Sequence, residues 1–390
     1  MGKRSPSEKS DSARPSERTN KTKTLPDEQR GRWVDDPDMV TMLKIYGSSV
    51  SFDLPRHKLE FTLGSAPDCD ISIPGDYLSR VHCKLERRGD RLRVHDHDSK
   101  NGTYVNNMRE AFFDIRPGDV FTPAPVRLLA MSDNMRQAYP ALLELLGPEE
   151  ENAVGAAATP WRSASDVLVT AVRGSNVLIT GEPGCDHGRL ARTMHEVSPW
   201  RFRNAVEIEH VPDDRRAQRA IIDRAARSTL IVDIGDAMPV IDAAFASMIF
   251  SAEYHIRVIA LAPSRDRANT VLGESNVAVM EHIALRPVAR RRAMVPRILD
   301  RMLHDKGTPI RFNDLSPSNQ DALGEYRWPG NFGELTEVAQ WIAVIANQGS
   351  LKKAAEAMNM KPTTFHSRYR DVVGLSWPLL GAALPEDEDV

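Results

Sequence analysis

The sequence predicts a multidomain chain: an all-β sandwich, then an α/β domain with a helical lid, then a short all-α pair. Three observations predict it. Over residues 42–133, short runs such as LKIY, LEFTLG, HCKLERR and RLRVHD alternate apolar and polar residues. Turn residues separate them: Pro74–Gly75, Gly89–Asp90, Asn101–Gly102 and Pro117–Gly118. That is the period of strands with one buried face. After residue 150 continuous apolar runs (NVLIT, TLIVDI, IRVIAL) alternate with helix-like stretches. Such runs suit a parallel sheet covered on both faces. From residue 296 onward the pattern is helical throughout.

The elements follow in order. Residues 1–41 are polar, rich in Ser, Thr, Lys and Arg, and without apolar periodicity, so this arm is expected to be disordered. Residues 42–133 form the sandwich, and 134–150 a helical linker ending near Gly147–Pro148. The α/β domain takes 151–295, its helical lid 296–345, and the basic helical pair 346–376. Residues 377–390 are an acidic tail, PEDEDV at its end, expected to fray.

Composition narrows the classes. A chain of 390 residues with 41% hydrophobic and 27% charged residues can fill two or three packed cores. Cys69, Cys83 and Cys185 are too scattered for a disulfide framework or a tetrahedral metal site. No apolar run reaches membrane-spanning length, which argues against a membrane partner. The opening MGKRSPSEKS lacks the apolar core of a signal peptide, and Pro6 breaks the myristoylation pattern. A reducing cytoplasm, at the nucleoid, is the expected location. The net charge of −3 means that any nucleic-acid affinity must be local.

Three motifs carry the chemistry of the sandwich: Gly64–Ser65, Ser79–Arg80–Val81–His82, and Ser99–Lys100–Asn101–Gly102–Thr103–Tyr104–Val105–Asn106. From Phe61 to Asn107 the chain resembles the forkhead-associated (FHA) family, whose members read phosphothreonine. The resemblance implies that Ser79 and Arg80 face the phosphate, that Asn101 holds the peptide backbone, and that His82 packs beneath the loop. One position departs from the family. Its turn arginine, a direct phosphate ligand, is Ser65 here. A lost charge-assisted donor costs about 1.5–3 kcal/mol, which Arg80 and Lys100 offset in part. The expected partner is a phosphothreonine protein or the chain's own phosphorylated arm. Thr19, Thr22 and Thr24 lie in that arm, and Asp27 stands three residues after Thr24. Docking back would proceed at high effective concentration.

Residues 152–345 resemble the AAA+ module of sigma-54-dependent transcriptional activators. The resemblance rests on NVLITGEPGCDHGRLAR, STLIVDIGDA, HIRVIALAP and RWPGNFGEL. The phosphate loop of that family is G-x-x-x-x-G-K-[ST]. Here Gly181 and Gly184 remain, but Asp186 stands at the second glycine, His187 at the lysine and Gly188 at the hydroxyl. Asp233 is kept, followed by Ile234 where the catalytic glutamate belongs. The sensor region reads Ala262–Pro263–Ser264, and Gly333 replaces the lid arginine. The arginine-finger positions have no clear counterpart, and the family's G-A-F-T-G-A loop is missing. These departures predict a body that is not an enzyme, takes no ATP or other cofactor, and does not engage sigma-54. The basic run Arg286–Arg292 is expected to be a solvated helix face.

GSLKKAAEAMNMKPTTFHSRYRDVVGL resembles the Fis-type helix-turn-helix of the same activators. Ala354 and Ala355 permit close helix packing, and Pro362 suits the first position of the second helix. Phe365 and Tyr369 recur at i, i+4 and face inward. Lys361, Thr363, Thr364, His366 and Ser367 are placed to meet base edges or flanking phosphates. Lys352, Lys353, Arg368 and Arg370 are placed to meet phosphates. Residues 349–370 hold five Lys or Arg against one acidic residue, so the local field is positive. The expected partner is double-stranded DNA, bound by a homodimer or higher homo-oligomer. The resulting expectation is a bacterial DNA-binding regulator with an inactive AAA+ scaffold. Its competitors are an active ATPase-type activator and a phosphoprotein adaptor that does not touch DNA.

Overall fold

A computed structural model describes residues 38–149, 162–368, 370, 373–376 and 379–381. The arm with Thr19, Thr22, Thr24 and Asp27, the Tyr369 position and the acidic tail apart from residues 379–381 lie outside the described residues. Against the expected fraying, Leu379 is 2% exposed and its carbonyl accepts from the Ser316 N–H (2.9 Å), because its side chain packs into the lid core. From Pro37 onward the chain forms one unit.

The first eleven strands build a two-sheet sandwich. They are β1 (Met42–Ile45), β2 (Ser51–Asp53), β3 (Glu60–Gly64), β4 (Ile71–Ser72), β5 (Cys83–Arg88), β6 (Arg91–Asp96), β7 (Thr103–Val105), β8 (Met108–Arg109), β9 (Phe112–Ile115), β10 (Val120–Pro123) and β11 (Leu128–Met131). One sheet has the order β2-β1-β11-β10-β7-β8, the other β4-β3-β5-β6-β9. The alternation seen in sequence becomes the sandwich interior: Leu43, Phe61, Leu63, Leu85, Val94 and Phe121 are at most 2% exposed. Arg87 is the exception on β5. It is buried, and its guanidinium donates to the carbonyls of Val40 (2.7 Å) and Leu54 (3.1 Å), so the charge is hydrogen-bonded where water is excluded.

β11 runs straight into α1 (Asp133–Leu146), capped by Ser132 and stopped at Gly147, whose φ of 94° suits glycine. The α/β domain follows: α2 (Ala164–Arg173), β12 (Val177–Thr180), α3 (His187–Glu196), β13 (Val206–Ile208), α4 (Arg215–Ala225), β14 (Thr229–Asp233), α5 (Ala243–Ile249), β15 (Arg257–Ala262), α6 (Arg265–Leu272), α7 (Glu274–Ala278) and β16 (Glu281–Ala284). The sheet order is β13-β14-β15-β12-β16, and every pair is parallel. The three apolar runs of the sequence are its three central strands. Edge strand β13 carries the exposed Glu207 and β16 the half-buried Glu281 and His282, so no continuous apolar run announced them.

The lid comprises α8 (Val295–Asp305), α9 (Pro317–Glu325) and α10 (Asn331–Gln348), and the last pair is α11 (Leu351–Ala357) and α12 (Pro362–Ser367). On α8, Ile298, Leu299, Met302 and Leu303 are buried, an i, i+1, i+4, i+5 stripe facing the core. One apolar core runs from β11 and α1 through α2 and α3 to the lid, Ala354, Ala355 and Phe365. The run Arg286–Arg292 departs from its expectation. It forms two short 3-10 turns, and Arg291 is 3% exposed. Pro287 and the close approach of α1 prevent the solvated helix that charge alone suggests.

The sandwich joins the α/β domain through polar contacts. Lys44 pairs with Glu149 at 2.7 Å, both 2% exposed. Tyr46 donates to Asp166, which also closes the capping box of α2 with Ser163. Gly118 lies against Val172, where a Cβ would stand 2.7 Å from the valine side chain.

Candidate functional site

The rim of the sandwich brings three sequence motifs together. Gly64 must be glycine: a Cβ there would sit 2.1 Å from the carbonyl oxygen of Arg80. Ser65 donates its hydroxyl to the Leu78 carbonyl (3.1 Å), so it holds the turn. The Ser79 hydroxyl accepts from the Lys100 N–H (3.2 Å), and the Asn101 amide donates to the Tyr77 carbonyl (2.7 Å). Arg80, Lys100 and Asn101 are exposed on the same rim.

His82 is fully buried beneath it. Its Nδ1 accepts from the Ser79 N–H (3.3 Å) and its Nε2 meets the Gly102 carbonyl (3.2 Å). A carbonyl only accepts, so Nε2 carries the proton and the ring is neutral. Burial holds its pKa below the usual imidazole range, although the Gly102 bond and Asp96 pull the other way. Asp96 accepts from the Ser99 N–H and hydroxyl and from Thr103 (2.6–2.9 Å). Burial would raise that carboxyl, but these bonds outweigh it and hold it below the usual range.

The second constellation lies at the carboxyl end of β12. Gly181 opens a loop in which Gly184 has φ 78° and Asp186 φ 67°. Asp186 therefore keeps the left-handed backbone that the motif assigns to glycine. His187 begins α3, and its Nε2 has no hydrogen-bond partner of good geometry. Burial depresses its pKa, only partly offset by Asp233 and the Gly181 backbone. Asp233 ends β14. Its carboxyl is raised by burial and by Glu209 and Glu207, with His187 opposing.

A cavity of about 670 Å³ opens here, lined by Gly188, Arg192, Glu207, Glu209, Arg224 and Asp233 among others. Arg192 grips Glu207 with two bonds (2.8 and 3.0 Å). The lid closes on the loop from the other side. The Phe332 N–H donates to the Gly184 carbonyl (2.9 Å), and the Asn331 amide to the Pro183 carbonyl (3.1 Å). Gly333 faces open space, Ile234 is buried, and Ser264 caps α6.

At the C-terminal pair, Ser350 caps α11, Asn359 turns the chain with φ 52°, and Pro362 stands in the first turn of α12. Phe365 is 1% exposed and packs into the core containing Ala354 and Ala355. Lys352, Lys353, Lys361, Thr363, Thr364, His366, Ser367, Arg368 and Arg370 are all exposed. Sequence reasoning assigned no role to Arg189 and Arg192, which follow the loop directly, and missed their partners Glu144 and Glu207, with Arg291 and Arg301 beside Glu144. Each pair joins segments 15 to 157 residues apart, and no local pattern links them.

Fold and sites together define an all-β FHA-type sandwich, an α/β domain built on a parallel sheet, and an all-α C-terminal region. The FHA domain model matches residues 61–122. The chain is 27% identical over 263 residues to the alginate biosynthesis transcriptional regulatory protein AlgB of Pseudomonas aeruginosa. That match covers 57% of this chain and 56% of AlgB, so the chain spans little more than half of that relative. It is also similar to solved structures of NtrX from Brucella abortus. The complex with ATP is 14% identical with TM-score 0.36, covering 53% of this chain and 65% of that one. The complex with ADP has TM-score 0.37 at 14% identity, covering 53% and 67%. A structure from work on phosphothreonine-dependent FHA interactions is 24% identical over 23% of this chain and 93% of its own, with TM-score 0.22.

These findings correct three expectations. The central body was expected to take no nucleotide, to have no enzymatic activity, and to serve as an inert scaffold apart from sigma-54. The solved structures similar to it include complexes with ATP and with ADP, and the curated relative is a transcriptional regulatory protein over the 263 matched residues. The inert reading leaned on side-chain identity at single motif positions. It gave no weight to the main chain, which supplies most phosphate-loop donors and which Asp186 keeps in the glycine conformation. Among the described residues no helix is long and apolar enough to cross a membrane.

Proposed function

We propose that this chain is an ATP-dependent, DNA-binding transcriptional activator whose FHA domain receives a phosphothreonine signal in the cytoplasm. The observation that carries the reading is the phosphate-loop architecture. A strand, a glycine-bearing loop and a helix stand at the carboxyl edge of a parallel sheet, and Asp233, at the end of β14 one strand beyond β15, lines a cavity of about 670 Å³ with Gly188 of that helix. This is where α/β sheets bind their ligands.

The donor set fits a nucleotide. The first-turn N–H groups of α3 and the unpartnered His187 Nε2 would hold phosphate oxygens, and Asp233 would hold the accompanying magnesium. When bound, the nucleotide supplies the free energy that drives the regulator. Arg80, Lys100 and Ser79 would bind the phosphothreonine, and Asn101 the peptide main chain. A second copy of the chain, or a higher oligomer, would place two exposed α12 faces on paired half-sites of DNA, with Lys361, Thr364 and His366 towards bases.

Phosphate release by purified full-length chain, with and without DNA, tests the reading. Turnover that Asp233→Asn abolishes is expected; no release and no ATP binding under either condition would refute it. A gel shift at low salt that is lost on deleting residues 346–376 is expected as well, and a shift that survives the deletion refutes the DNA assignment.

A further inference from the structure

The last turn of α1 gathers three arginines from three segments. Glu144 is 4% exposed. Its Oε2 accepts from Arg189 Nη2 (2.8 Å) and from Arg301 Nε (2.7 Å). Its backbone carbonyl accepts from Arg291 Nη1 (2.6 Å). Arg189 stands two residues into α3, directly after the phosphate loop. Arg301 is on lid helix α8. Arg291 is buried against Phe332 of the lid, its guanidinium 4.8 Å from the ring centroid.

One carboxylate therefore ties lid helix α8 to α3, the helix that follows the phosphate loop. The last-turn carbonyls of α1 point the negative end of the helix dipole at the same cations. Two guanidiniums share this carboxylate and the third takes the carbonyl; Arg301 also pairs with Asp305 (3.0 Å), whereas Arg189 Nη1 with Arg291 Nε and Nη2 have no hydrogen-bond partner. The cluster carries surplus positive charge beside the loop. At its other end α1 is held by the sandwich: Asp133 accepts from Thr41 and Arg56, and Arg136 pairs with Asp53 at 3.1 Å. The helix is a strut of about 21 Å, at 1.5 Å per residue.

We propose that Glu144 is a positioning residue for the nucleotide site: it latches lid helix α8 to phosphate-loop helix α3, and so sets how readily the cleft opens to exchange nucleotide. The proposal rests on the nucleotide-binding reading and adds a residue that belongs to neither wall of the cleft. Opening the cleft separates Arg189 from Arg301, and the shared carboxylate cannot follow both. Each opening therefore breaks at least one charge-assisted bond inside the protein.

The test uses the full chain as Glu144→Gln and, separately, Arg301→Gln at the half-exposed edge of the cluster, where folding is tolerant. Hydrogen exchange without nucleotide should rise in α8 and in 181–196, and stay unchanged across β1–β11. Dissociation of a fluorescent ATP analogue should quicken about tenfold, the loss of one charge-assisted bond. The double variant should be no faster than either single one, because both remove the same latch. Exchange unchanged in α8 overturns the proposal, as does raised exchange with an unaltered dissociation rate. Raised exchange in a chain that binds no ATP analogue, variant or not, supports the latch and refutes the nucleotide reading instead.

Discussion

Replacing Glu149 by glutamine probes the joint between sandwich and α/β domain. In the folded chain Lys44 Nζ donates to Glu149 Oε2 (2.7 Å) and to the carbonyls of Ser48 and Ile45. Glu149 Oε1 accepts from the Ser165 N–H (2.7 Å) and hydroxyl (2.6 Å). Glutamine keeps the shape but has one oxygen where the carboxylate has two. If that oxygen serves Ser165, an NH2 group faces the Lys44 ammonium, donor against donor. If it serves Lys44, both Ser165 donors face the NH2.

Breaking a buried pair on one side costs about 3–5 kcal/mol, because the surviving charge is left without its counter-ion. Lys44 keeps two carbonyls and lies 4.9 Å from the Tyr139 ring centroid, so the lower end, about 3 kcal/mol, is expected. Equilibrium urea unfolding followed by circular dichroism measures it. Adding Lys44→Met removes the stranded ammonium, so the double variant should be more stable than Glu149→Gln alone. A single variant within about 0.5 kcal/mol of the parent, or a double variant worse than the sum of the singles, would refute the reasoning.

Four further outcomes follow from the sites. His82 is neutral when folded, with its pKa held below the unfolded value of about 6.5. The unfolded chain then takes up the extra proton as pH falls through that value. The stability from His82 is complete above about pH 6.5 and declines below it, and a His82→Asn chain should show a flatter profile between pH 8 and 5. Arg80→Ala should weaken a phosphothreonine peptide at least tenfold, roughly one charge-assisted bond, by fluorescence anisotropy. Unchanged affinity would move the phosphate elsewhere. Asp186→Gly relieves a left-handed residue and removes an anion from the phosphate loop. It should stabilise the fold by about 1 kcal/mol and tighten ATP, and calorimetry showing neither would place the phosphates away from this loop. Arg368→Ala should lower the salt slope of DNA binding by about one unit, if Arg368 meets a phosphate.

Much of the fold was legible because local pattern and tertiary environment agree. Leu85 and Val94 alternate with exposed neighbours because one face of the sandwich is dry. VLIT, TLIVD and RVIALA are almost wholly buried because both faces of the central parallel sheet are covered. The glycine at 64 was legible through the motif, and its reason is the Arg80 carbonyl 2.1 Å from its would-be Cβ. The half-polar edge strands β13 and β16 were not legible. Neither was the burial of Arg291, because a run of arginines reads as surface until α1 covers it.

The identity of the phosphate loop, the rim motifs and the basic last helices belonged to sequence alone, since each depends on residues within a few positions of one another. What those residues touch was decided only by tertiary structure. Asp186 adopts the glycine conformation, the lid docks on Gly184, and Glu144 meets Arg189 and Arg301 from 45 and 157 residues away. The physical reason is range. Backbone preference and apolar period act over one or two turns of chain, whereas a buried charge must find its counter-ion wherever the fold brings one.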